Sequence, residues 1–326
     1  SVGRLLRKLA NLSYVDGIME NVDVPSIATI LLEALTAGDA LTDEDVRGPY
    51  LGACVGAMAG LANCGNLAEQ ELVPLVAAVV EHLRTALATP GAETAVLQCT
   101  TSCALMAGSV DAARLMVAAP HHLTALNMQV LDNAGNDKYL AFAGLTLLRR
   151  LASVDGDKVS EARAVEQCVS LMRQHFDAYG VLLAGVDMLE ALVASFPYAP
   201  MVSEGGIAVA LDVTESAYTK RQQELMSHVL QLLSTTVSAL PANQSTLGSD
   251  EAISTLKHVF VGALTSANMV TMEEDINVMS GVIKGDVGDP AVCHSIFVCC
   301  MVFLLMNIFL TFFKKNFFLN IFQFLL

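Results

Sequence analysis

Tryptophan is absent from this 326-residue chain, aromatic residues make up only 6% of it and charged residues only 16%. Cations are scarcest, with 18 Lys and Arg against 33 Asp and Glu, for a formal net charge of −15. That shortage excludes a nucleic-acid-binding domain, because phosphate recognition needs a basic footprint. Disorder is excluded as well: it requires low hydrophobicity with high charge, and this chain is 54% hydrophobic. Globular chains are usually about a quarter charged, so much of this sequence must be buried.

Metal and catalytic signatures are also missing. The cysteines, at positions 54, 64, 99, 103, 168, 293, 299 and 300, form no Cys-x-x-Cys pair and have no His at zinc-ligand spacing. Cys99 and Cys103 share one helix face and read as small buried apolar groups rather than a metal clip. This usage fits a reducing, cytosolic compartment. Asp155-Gly156-Asp157 lacks the remaining ligands of a calcium loop, and His121-His122 reads as a surface pair. No Gly-x-Ser-x-Gly, His-Glu-x-x-His, Gly-x-Gly-x-x-Gly or phosphate-loop pattern occurs. A non-enzymatic protein without cofactor or metal is therefore expected.

What the sequence does contain is self-similarity. A helical apolar run ending in Leu-small-small, a short polar break and a second apolar helix recur along the chain, as in LLRKLANLS from Leu5 and LLRRLASVD from Leu147. The shared position falls at Leu9, Leu61, Leu105, Leu151, Leu192 and Thr236, giving spacings of 52, 44, 46, 41 and 44 residues. Leu5, Leu6, Leu9 and Leu12 lie on one face at helical period, and period-2 alternation of β-branched residues is absent. Breaks are expected at Gly48-Pro49, Pro90-Gly91, Pro197, Pro200 and Gly205-Gly206, with Pro49 in the first turn of the next helix. The Gly52, Gly56, Gly60 stripe is expected to let neighbouring helices approach closely. A period of this size belongs to arrays of two- or three-helix repeats, whose members bury their apolar faces only by stacking.

The Leu-Ala-Asn helix ends at Leu9–Asn11 and Leu61–Asn63, with Glu204-Gly205-Gly206-Ile207 leading into a following helix, resemble armadillo repeats. The resemblance extends over about residues 1–290 and is most specific over 1–215. It implies an all-α fold, an armadillo/HEAT-type right-handed α-solenoid of about six recognisable repeats beginning mid-repeat, whose third helices line a concave groove. In nuclear-import adaptors of the importin-alpha type that groove carries Trp and Asn four residues apart. The matching pairs here are Arg7/Asn11, Ala59/Asn63, Cys103/Ala107, Arg149/Ser153, Glu190/Ala194 and Ser234/Ser238. With no Trp and with Asn in two repeats only, the import-receptor groove is not expected. A strongly basic β-catenin-like groove does not fit the acidic body either.

The expected role is a scaffold or adaptor that binds a peptide or helix of a partner protein, with no nucleic-acid partner. Arg7, Asn11, Asn63, Arg149, Ser153 and Glu190 are the candidate groove residues. Arg149-Arg150 and Arg7-Lys8 offer anchors for an acidic segment, or equally are solvated helix ends that complement the macrodipole.

Residues 293–326 differ in kind, holding nine of the thirteen Phe and no Ala, Gly, Asp or Glu. Ile296 to Phe313 is an uncharged run of 18 residues, just long enough to span a bilayer. Three expectations follow for this tail. It is a membrane anchor holding the repeats in the cytosol, the buried end of a longer array, or a gene-model artefact in which an AT-rich intron was translated. Cytoplasmic residence follows from the last two, and membrane anchoring from the first.

Overall fold

Helix-forming Ala, Leu, Met and Glu dominate between the breaks, and the chain folds accordingly. The structure is a computed structural model that describes residues 24–63, 67–161, 163–195, 205–239, 247, 249–265 and 277–278. It is all-α, with no strand among the described residues. The described helices are α1 (Val24–Asp39), α2 (Glu44–Asn63), α3 (Glu69–Ala88), α4 (Glu93–Met106), α5 (Val110–Val117), α6 (Leu123–Ala134) and α7 (Lys138–Ala152). There follow α8 (Gly156–Glu161), α9 (Ala164–Gln174), α10 (Tyr179–Ser195), α11 (Gly206–Thr219), α12 (Gln223–Ala239) and α13 (Asp250–Thr265). Among the described residues no helix is long and apolar enough to cross a membrane. The 293–326 tail, with its 296–313 segment, lies outside them.

Helix starts are set by local chemistry. Asp137 Oδ1 accepts from the amides of Tyr139 (2.8 Å) and Leu140 (3.2 Å), satisfying two orphan donors at the start of α7. Asp155 caps α8 by accepting from Lys158 N (3.2 Å), while its other oxygen pairs with Lys158 Nζ at 3.0 Å. The calcium-like Asp155 is thus a capping residue. Glu71 Oε2 reaches back to accept from Ala68 N at the start of α3 (3.1 Å). Between helices the chain turns at positive φ: His122 (48°) before α6, Arg163 (60°) before α9, Gly91 (79°) before α4 and Gly205 (79°) before α11. Glycine suits such a turn because it lacks a Cβ.

One expected break is not a break. α2 begins at Glu44 and runs through Gly48-Pro49 rather than starting there. Upstream, the Asp43 carbonyl accepts from Val46 N and Arg47 N and closes a first turn. Downstream, Leu51, Cys54, Val55 and Met58 are all buried. A proline this near the helix start removes a single main-chain hydrogen bond, and burial of that apolar face outweighs the loss.

Contacts divide the chain into two compact units, residues 1–196 and 197–326. In the first, α1, α3, α6 and α9 pack in succession as one row, and α2, α4, α7 and α10 as a second row against it. The short helices α5 and α8 precede α6 and α9, so short, middle and long helices recur in order. The long helices α4, α7 and α10 start at residues 93, 138 and 179, 45 and 41 residues apart. Leu61, Leu105, Leu151 and Leu192 all lie near the ends of helices in this second row. The core between the rows includes Leu75, Leu83, Met106, Leu123, Leu131, Leu147, Leu148 and Leu151, each less than 2% exposed. Each such side chain contributes roughly 1.5–3 kcal/mol. In the second unit α11 packs on α12 and α13 around Val213, Leu225, Leu233 and Leu256.

Candidate functional site

The outward face of the long-helix row carries the site. On α4, Val96, Cys99, Thr100, Cys103 and Met106 turn into the core, leaving Leu97 and Thr101 on the opposite face. On α7 the core takes Leu140, Leu147, Leu148 and Leu151, while Tyr139, Phe142, Thr146 and Arg150 form an outer stripe at helical spacing. Between these stripes lies a cleft of about 380 Å³, lined by Leu97, Thr101, Tyr139, Phe142, Thr146 and Arg150. Tyr139 and Phe142 are 64% and 44% exposed, a large apolar area to leave in water. The Lys138 ammonium sits 5.3 Å from the Tyr139 ring centroid.

Arg150 closes one end. Its Nη1 donates to the carbonyls of Ala104 and Leu105, the latter at 3.2 Å, so it caps the C-terminal end of α4 from the neighbouring helix. Asn63 at the end of α2 converges on the same place: a Cβ on Gly108 would overlap Asn63 Oδ1 and come within 3.0 Å of Arg150 Nη1. Three successive long helices therefore meet at Gly108, where the absence of a side chain leaves room for the Asn63 and Arg150 side chains. Midway along the cleft, Thr101 Oγ1 donates to Leu97 O and Thr146 Oγ1 to Phe142 O, both at 2.8 Å. Each hydroxyl's hydrogen is thereby used within its own helix, and its oxygen is left as an acceptor.

At the level of fold, there are known proteins to set beside this chain. No family model matches it, and no curated protein matches it. It is similar to an engineered protein whose crystal structure came from the Northeast Structural Genomics Consortium, at a TM-score of 0.62 and 17% identity, over 81% of this chain and 98% of that one. A second engineered protein from the same consortium has a TM-score of 0.49 and 13% identity, over 91% of this chain and 77% of that one. The first likeness is one of helical fold alone.

The residues expected from the sequence are placed as follows. Arg7 and Asn11 lie outside the described residues. Asn63 packs against Gly108 beside Arg150. Arg149 Nη1 donates to Asp187 Oδ2 on α10 at 2.6 Å. Ser153, exposed at the end of α7, shares its one hydroxyl hydrogen between the carbonyls of Arg149 (3.0 Å) and Arg150 (3.1 Å). Glu190 is half-buried on α10, one turn beyond Asp187. Ala59 and Cys103, which the spacing aligns with Arg149, are fully buried. The expected helix approach at the glycine stripe holds at Gly52, where a Cβ would collide with the Gln98 side chain of α4, while Gly56 faces open space. Tyr139, Phe142, Thr101 and Thr146 were not singled out. Their signal is the i, i+3, i+7, i+11 run Tyr139, Phe142, Thr146, Arg150 in a chain poor in aromatics.

Among the described residues the cysteine thiols, Cys54, Cys99, Cys103 and Cys168, are buried. Burial pushes the Cys99 thiol up to about 12, and raises Cys103 and Cys168 in the same direction, so all three stay protonated near neutral pH. Cys168 Sγ lies 3.7 Å from Met172 Sδ and 3.5 Å from Gly185 O, within the α9–α10 contact.

Proposed function

We propose that this chain is a non-enzymatic scaffold of armadillo type, an α-solenoid of about six repeats that binds a segment of a partner protein along its row of long helices. The observation that carries the reading is the cleft between α4 and α7, with Tyr139 and Phe142 held in water at its wall. Supporting it are the recurrence of short, middle and long helices, the 45- and 41-residue spacing of the long ones, and the αL turns that repeat between them. Stacked repeats of this kind work by offering an extended surface to a partner. The net charge of −15 favours a protein partner over nucleic acid, and the cysteine usage favours the cytoplasm.

Site-directed photocrosslinking tests the reading. A photoreactive phenylalanine at position 142 should capture a discrete partner in cells, and the same group at Val110, which is 56% exposed on α5, should not. The partner identified at 142 should also fail to co-purify with a Phe142→Ser chain. Equal capture at both positions, or none at 142, refutes the scaffold reading of this face. Phe142 is the better probe than Arg149, whose guanidinium is held by Asp187.

A further inference from the structure

We draw no further inference here: the strongest candidate, the apolar cleft between α4 and α7, belongs to the site already described, and nothing in the structure shows what covers its exposed Tyr139 and Phe142.

Discussion

Arg149 on α7 donates to Asp187 on α10 at 2.6 Å, and the pair is lopsided: the arginine side chain is 51% exposed and the aspartate 9%. The carboxylate has lost most of its water and depends on the guanidinium more than the reverse. Arg149→Ala should therefore lower stability by about 1–2 kcal/mol, more than an exposed pair is worth. A double-mutant cycle with Asp187→Ala should return a coupling near 1 kcal/mol. Additivity within about 0.3 kcal/mol in urea denaturation would show that the two helices are not joined through this contact.

The neighbouring pair Arg149 and Arg150 marks where sequence reading stops. The two side chains leave α7 about 100° apart, so they diverge. One reaches Asp187, 38 residues on, and the other Ala104, 46 residues back. Nothing local specifies either partner, since both depend on how long helices stack. What was legible is whatever repeats or is local: the all-α class, the recurring leucine now found near the ends of α2, α4, α7 and α10, and the turns at Gly91 and Gly205. The break expected at Gly48-Pro49 failed because burial of Leu51, Val55 and Met58 overrides one missing N–H. The cleft stayed hidden because α4 carries apolar residues on both faces, so that periodicity cannot tell its core stripe from its outer one, and because the pairing of α4 with α7 is set by stacking.

Gly144 and Gly185 occupy similar places in successive long helices, yet substitutions there should differ. A Cβ at Gly144 would overlap Leu131 Cδ2, a fully buried side chain of α6 with no room to retreat. The same contact brings Asn127 Nδ2 to the Gly144 carbonyl at 2.9 Å. At Gly185 the obstacle is Met172, 2.6 Å away through Cγ and Sδ, an unbranched side chain that can swing. Gly144→Ala should lower stability by about 2–3 kcal/mol and Gly185→Ala by about 1 kcal/mol or less. Leu131→Val should recover part of the first loss. Equal losses, measured by chemical denaturation, would remove this account of how α6 and α9 seat against their long helices.

His122 is a histidine where the backbone asks for glycine. Its φ of 48° places it in the left-handed region, and its side chain makes no capping hydrogen bond to α6. The conformation costs an L-residue about 1–2 kcal/mol, and glycine gives back roughly half of that through its freer unfolded state. His122→Gly should raise stability by about 0.5–1 kcal/mol, or about 2–4 °C in Tm. His122→Ala should bring no such gain. A calorimetric Tm unchanged by the glycine would mean that the αL turn carries no strain.

Acidification should weaken the first unit through His82. This side chain sits half-buried on α3, and its pKa is lowered from 6.5, first by burial and then by Arg47, with Asp39 opposing. His121 is lowered too, by burial, Arg84 and His122. Above about pH 6.5 both imidazoles are neutral folded or unfolded, and neither biases folding. As pH falls below 6.5 the unfolded chain takes up protons that the folded chain resists, so stability drops, levelling off once pH passes the lowered folded value. Most carboxylates titrate below this window. Tm should thus fall between pH 7 and 5, and His82→Gln should flatten the decline. A variant whose Tm tracks the parent's across that range would place the proton uptake elsewhere.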